Sequence, residues 1–153
     1  MLNVLDLLKM LNFEEFDYFY HETGAGLGRE IMEEGLMVEG TNIIGTKNIA
    51  YTTVSPLLPE MVRTPRDFVV FLDNEKGSGS SRDTSEMVIL CADKSLDGYL
   101  VEPYDEYHNE KKYSGIIRKG YIMGVINIDS LEFEMNEEFE FASDLVDASD
   151  FKL

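Results

Sequence analysis

The sequence predicts an α+β fold. A leucine-rich stretch at the start has helical spacing, and several later runs of apolar, aromatic and β-branched residues are typical of strands. The chain has 153 residues, and domains usually have roughly 100–200 residues. We therefore expect one domain over residues 1–153, with a helix at the start and an acidic segment, residues 129–153, at the end.

Two helices are predicted in the first part of the chain. The first covers residues 2–12, because Leu5, Leu8 and Leu11 recur at helical spacing and are expected to pack against the core as one leucine face. The second covers residues 27–34, since it follows a glycine turn and the next glycine is a common helix end.

Runs of apolar and aromatic residues predict the strands. They lie at residues 16–21, 48–53, 68–72, 87–91, 99–101, 121–128 and 131–135. The last run alternates apolar with acidic residues, which is typical of a half-exposed edge strand. The intervening segments are a proline-rich connection at 54–66, a Gly/Ser loop at 77–81 and a polar stretch at 103–114.

The charge of the chain disfavours some partners. The sequence contains 13 Lys and Arg against 30 Asp and Glu, which gives a net charge of −17. Such a chain repels phosphates and anionic lipid at long range, so nucleic-acid binding through a broad basic face is disfavoured. A basic protein partner, a cationic ligand and a shielded anion pocket all stay open.

Cysteine and histidine are too few for several kinds of site. Cys91 is the single cysteine and lies in an apolar run, so we expect a buried thiol, no internal disulfide and no Cys-rich zinc site. Two histidines exclude His-rich metal sites. A Mg²⁺ or Ca²⁺ site made of carboxylates alone stays open, but the acidic residues lack EF-hand spacing, and we assign no metal ligands. The first apolar stretch is far shorter than the roughly 20 residues that span a bilayer. We predict a cytoplasmic protein, with secretion lacking a cleaved signal as the alternative.

A glycine run at residues 24–28 follows His21. It superficially matches the dinucleotide-binding fingerprint, but Arg29 stands where the third glycine belongs and no long strand–helix–strand unit follows. A Rossmann site is therefore disfavoured. The turn places backbone N–H groups at a helix start beside His21 and Arg29, where they predict a small local anion site.

Three short motifs follow one another along residues 17–92. The first is a strand containing His21-Glu22-Thr23, with a glycine turn and a helix that ends in Gly35-Leu36. The second is Ala50-Tyr51-Thr52-Thr53, and the third is Glu86 at the start of a strand after the Gly/Ser loop. In this order they resemble the ADP-ribosyltransferase superfamily, of the diphtheria-toxin and poly(ADP-ribose) polymerase type.

The resemblance implies that NAD is a substrate. In this family the histidine holds the NAD ribose, the next residue presents its backbone to the nicotinamide amide, the tyrosine stacks on the nicotinamide ring and the glutamate bonds a ribose hydroxyl. Carried onto this sequence, the NAD-binding residues are His21, Glu22, Thr23 and Tyr51, and the catalytic residue is Glu86. Glu22 stands where the family usually has glycine.

The residue types suit the chemistry that the resemblance implies. Cleavage of the bond between ribose and a cationic nicotinamide passes through an oxocarbenium-like state, which a nearby carboxylate stabilises. An aromatic face such as that of Tyr51 attracts a cationic ring by about 0.5–2 kcal/mol. Glu102, at the end of the strand predicted over 99–101, is the second candidate for the catalytic glutamate.

The sequence thus predicts NAD-dependent ADP-ribosyl transfer to an unknown acceptor, for which a protein is one candidate. The fold that the resemblance implies is a split pair of antiparallel β-sheets with flanking helices and a cleft between them. Two alternatives stay open: an RNA 2′-phosphotransferase-like activity on the same fold, and a non-enzymatic acidic module of the immunity type that binds a basic partner.

Overall fold

The fold is α+β, as predicted, with nine strands and three α-helices in the described part of the chain. A computed structural model describes residues 2–36, 40–44, 47–76, 84–92, 100–101, 111–114 and 117–140. At residues 40–44, 47–53, 100–101 and 111–114 it describes the backbone only.

The elements are numbered here in chain order. The strands are β1 Leu2–Asn3, β2 Asp17–Thr23, β3 Gly40–Ile44, β4 Lys47–Pro56, β5 Glu86–Ala92, β6 Leu100–Val101, β7 Lys111–Ser114, β8 Ile122–Asn127 and β9 Glu132–Met135. The α-helices are α1 Val4–Met10, α2 Leu27–Glu34 and α3 Pro65–Glu75, and 3-10 turns lie at Pro59–Met61 and Lys119–Tyr121.

The described strands pair antiparallel in the order β1-β9-β8-β5-β2-β4-β7-β6, with β3 also on β4. Strand β2 is the link between two parts of this sheet. It pairs with β5 over seven residue pairs, but with β4 over two, Phe19 with Pro56 and Tyr20 with Ser55. The sheet is therefore split, with its two parts joined edge to edge at this short pairing.

Side chains alternate along β2 and β5 and so form two apolar faces. On one face, Tyr18, Ile89 and Cys91 pack with α1 and α3. On the other face, Phe19 and Val88 pack with Met32 of α2 and with β8. The predicted buried thiol of Cys91 is confirmed, since its exposed fraction is 0%. β5 lies between two layers of helix, which explains its continuous apolar run.

The buried face of α1 differs from the predicted leucine face. Val4, Leu7 and Met10 are buried, whereas Leu5 is 44% exposed, and Leu8 and Leu11 pack at the edge of the core. The helix begins where the Asn3 side chain accepts hydrogen bonds from the N–H groups of residues 5 and 6. This cap fixes where the helix begins, and packing against the core makes residues 4, 7 and 10, three apart, the inward face.

The run 68–72 was predicted as a strand, and this prediction is wrong: it lies inside α3. The hydroxyl of Thr64 accepts a hydrogen bond from the Asp67 N–H at 3.1 Å, and Pro65 occupies the first helical position. Both features start helices. Phe68 and Leu72, four apart, face the core and are fully buried, while Val70 between them is 50% exposed.

Other differences concern strands without a strong local pattern. β1, β3 and β7 were not predicted, and the predicted edge strand β9 is covered by β1, which pairs Leu2 with Phe133 and Asn3 with Glu132. The Gly/Ser loop at 77–81, the candidate Glu102 and the end of the acidic segment, 141–153, lie outside the described residues.

Candidate functional site

The pairing of β2 with β5 brings two of the three sequence motifs together. His21 lies opposite Val88, and Thr23 lies opposite Glu86. Residues that face each other across an antiparallel pair project to the same side of the sheet, and so do residues two apart on one strand. His21, Thr23 and Glu86 therefore share the face on which Val88 packs with α2.

Glu22 projects to the other side of β2. It lies opposite Met87, which is fully buried in the core beneath α1 and α3. Alternation therefore separates the Glu22 carboxylate from that of Glu86 by the thickness of the sheet. At the face of His21, Glu22 contributes backbone and not its charge.

The carboxylate of Glu86 lies at the start of α2. Its Oε1 accepts a hydrogen bond of 2.9 Å from the N–H of Gly28. The cap residue of this helix is Gly26, whose φ of 84° is left-handed and which has no side chain to cap the helix. Because the first N–H groups of a helix lack partners within it, Glu86 supplies the cap that the local sequence does not.

Gly28 has room for a hydrogen atom and no more. A Cβ at this position would lie 2.8 Å from Glu86 Oε1 and 2.6 Å from Val125 Cγ1. Both are closer than real Cβ atoms approach other heavy atoms. Gly28 is part of the glycine run at residues 24–28, but its contact with Glu86 was not predicted. The sequence feature that could have indicated this contact is the start of α2, where Gly26 offers no polar side chain to cap the helix.

Arg29, the cation next to this turn, pairs with a carboxylate on another strand. The Arg29 guanidinium donates two hydrogen bonds, of 3.0 and 3.3 Å, to the Glu134 carboxylate on β9. Its side chain is 66% exposed. The small anion site predicted at this helix start thus has one N–H occupied by Glu86 and its arginine paired with Glu134.

The remaining predicted residues are not brought into this group by any described contact. The backbone of Tyr51 lies in β4, opposite Gly40 on one side and Ser114 on the other, and its side chain lies outside the described part. The reserve candidate Glu102 lies outside it as well. The described group therefore consists of His21, Thr23 and Glu86.

The described part of the chain holds neither a metal-ligand cluster nor a membrane-spanning helix. Within residues 2–36, 47–76, 84–92 and 117–140 and the shorter described segments, no three His, Cys, Asp or Glu side chains are grouped so that they could hold a metal ion. Of the helices in the same part of the chain, none has the length and apolar character needed to cross a membrane.

The solved structures that match this chain include two that share little sequence with it. One is a variant of the scabin toxin from Streptomyces scabies, with a TM-score of 0.42 and 10% identity over 80% of this chain and 75% of that one. The other is a guanine-specific ADP-ribosyltransferase, with a TM-score of 0.42 and 12% identity over 80% of this chain and 77% of that one. No protein-family model matches, and no curated protein matches by sequence.

Proposed function

We propose that the protein transfers ADP-ribose from NAD to an acceptor. The observation that supports this most strongly is the β2–β5 register, which gives His21, Thr23 and Glu86 a common face. These residues come from the first and third of the motifs that resemble ADP-ribosyltransferases. They lie 65 positions apart at most, 86 minus 21, and convergence of such distant polar groups is typical of a site.

In this proposal Glu86 is the catalytic residue. Its carboxylate stabilises the positive charge that develops on the ribose as the bond to nicotinamide breaks. The bond to Gly28 uses Oε1, and a carboxylate has two acceptor oxygens. Oε2 is therefore suited to accept a hydrogen bond from a ribose hydroxyl while Oε1 stays anchored.

His21 and Thr23 bind the NAD ribose in this proposal, and Tyr51 stacks on the nicotinamide ring. Glu22 presents its backbone to the nicotinamide amide, and its position opposite Met87 keeps its carboxylate on the far side of β2. Strand alternation thus allows a glutamate at the place where the family usually has glycine, since the added side chain does not project into the site.

Release of nicotinamide from NAD tests the proposal. Glu86→Gln keeps the side-chain shape and an acceptor for Gly28 but removes the charge, so turnover should fall by about 10²–10³-fold. Glu33→Gln is the matched control, because it makes the same chemical change at an exposed position of α2 and should leave turnover intact. Equal turnover of Glu86→Gln and the parent protein would reject Glu86 and direct the search to Glu102.

The alternative from another class is an acidic module without enzymatic activity. It is favoured by the net charge of −17 and by the Glu86–Gly28 bond, which a purely structural helix cap would also form. Calorimetric titration with NAD separates the two functions. Heat of binding together with nicotinamide release supports the transferase, whereas neither heat nor release, with or without a cell extract to supply acceptors, favours the module.

A further inference from the structure

We propose that Gly28 is a positioning residue for Glu86, an inference that rests on the proposed transferase function. Its N–H orients the carboxylate, and its missing side chain leaves the space that the carboxylate occupies. Gly28 therefore acts on the reaction through Glu86 and does not itself contact the reacting atoms.

The strand alone does not determine where the carboxylate lies. Glu86 is the first residue of β5 and Thr23 the last of β2, so the ladder fixes the Glu86 backbone at its end. The glutamate side chain still has several rotatable bonds, each with more than one favoured angle. The hydrogen bond from Gly28 selects one of these arrangements.

The glycine turn directs the Gly28 N–H toward β5. The Leu27 N–H donates to the Gly24 carbonyl at 3.2 Å, which closes the turn, and Gly26 has the left-handed φ of 84°. Residues with a Cβ rarely adopt this φ. The helix that follows presents the positive end of its dipole to the carboxylate.

The backbone of Gly28 packs closely against both the Glu86 carboxylate and the core residue Val125. The same absent Cβ would contact Val125 Cγ1, and Val125 is buried opposite Val88 in the β5–β8 pair. Gly28→Ala must therefore displace the Glu86 carboxylate, Val125 or the start of α2. A shift of about 1 Å in a catalytic group is enough to slow a reaction by roughly 10²-fold.

The kinetic test compares Gly28→Ala with Leu27→Ala. Leu27 is the preceding residue and is 47% exposed, so its truncation is the matched control. We expect Gly28→Ala to lower the kcat of nicotinamide release by about 10²-fold, the scale for losing one oriented group, with a much smaller change in KM. Leu27→Ala should keep the parent kcat. An unchanged kcat in Gly28→Ala would overturn the proposal.

A double variant separates displacement of Glu86 from overpacking of the core. Val125→Ala in the Gly28→Ala background removes the apolar neighbour of the new methyl group but leaves its contact with Glu86 Oε1. We expect the double variant to regain part of the melting temperature lost by Gly28→Ala but not its kcat. Recovery of kcat along with the melting temperature would show that packing alone slowed the reaction, and would overturn the positioning role.

A nuclear magnetic resonance measurement distinguishes failure of the Gly28–Glu86 contact from failure of the proposed transferase function. The Gly28 amide proton should move upfield in Glu86→Ala, which removes the acceptor, and should stay near its parent position in Glu33→Ala. An unmoved resonance in Glu86→Ala refutes the positioning contact whatever the activity. A shifted resonance in a protein that releases no nicotinamide refutes the transferase function and the positioning role with it, and assigns Glu86 as a structural cap.

Discussion

The hydroxyl oxygen of Tyr18 accepts a hydrogen bond of 2.8 Å from the backbone N–H of Asn12. Tyr18 is 2% exposed, and its ring meets the ring of Phe13 edge to face at 5.1 Å. Burial raises the pKa of Tyr18 well above its ordinary value of 10.0, with a further contribution from Cys91. The neutral phenol thus fastens the segment after α1 to the core strand β2.

This relationship predicts alkaline instability. Because the pKa of Tyr18 is raised in the folded state, the stability it provides is complete below pH 10 and is lost as the pH rises above that value, where the unfolded state releases the proton first. We expect the free energy of unfolding of the parent to fall from about pH 10 upward, the ordinary pKa of tyrosine. Tyr18→Phe should flatten this fall in urea titrations at several pH values.

The same variant should be less stable near neutrality. Tyr18→Phe leaves the Asn12 N–H without its acceptor, at a cost of about 1–3 kcal/mol. If the free energy of unfolding falls in parallel with rising pH in the two proteins, ionisation of Tyr18 does not cause the alkaline loss of stability.

Gly124 and Gly120 form a matched pair for the effect of one methyl group. A Cβ at Gly124 would meet the backbone carbonyl of Glu134 and, at 2.6 Å, the buried ring of Phe133. A Cβ at Gly120 would meet the Glu140 side chain, which is 45% exposed and pairs with Arg118, itself 61% exposed, so that the two side chains can move outward together. Gly124→Ala should therefore cost about 1–3 kcal/mol, and Gly120→Ala clearly less. Equal melting temperatures of the two variants would contradict this.

Asn136 should contribute more to stability than Asn127. Its buried side-chain amide donates to the carbonyls of Lys119 and Ile122, at 3.0 and 2.9 Å. Asn136→Ala leaves both carbonyls without this donor, and we expect a loss of about 1–3 kcal/mol in urea denaturation. The exposed Asn127 accepts from the N–H groups of Asp129 and Ser130, which water can replace. A larger loss in Asn127→Ala would reverse our assignment.

Tyr51 is expected to act through its ring and not through its hydroxyl. Tyr51→Phe keeps the aromatic face and should bind NAD like the parent, whereas Tyr51→Ala should lose about 0.5–2 kcal/mol of binding free energy. Calorimetric titration with NAD measures both. If the alanine variant binds as tightly as the parent, stacking by Tyr51 is rejected and the second motif loses its role.

Local sequence signals predicted an element correctly where a glycine marks each of its ends. The predicted helix 27–34 has the bounds of α2 because Gly26 and Gly35 flank it with positive φ angles. The run 68–72 was misassigned because five apolar residues in succession suit a buried strand and a buried helix equally. The deciding features were Thr64 and Pro65, which lie outside the run.

The site was only partly predictable for a different reason. His21 and Glu86 were predicted from their motifs, and the pairing of β2 with β5 places them on one face of the sheet. The Glu86–Gly28 bond joins residues 58 positions apart, and such a contact exists only once β2, β5 and α2 have packed. No local pattern encodes it, just as no local pattern decides that Leu7 is buried and Leu5 exposed.

The short pairing between β2 and β4 has a consequence for how the molecule opens. Backbone ties at this junction comprise two register pairs and the bond from the Leu57 N–H to the Tyr18 carbonyl. Amide protons of β5 and β8, whose side chains lie in the two buried core clusters, should exchange with solvent only through global unfolding. Those of β3, β6 and β7 should exchange through a smaller, separate opening. The strands then form one hydrogen-bonded sheet, but its two parts unfold as separate cooperative units.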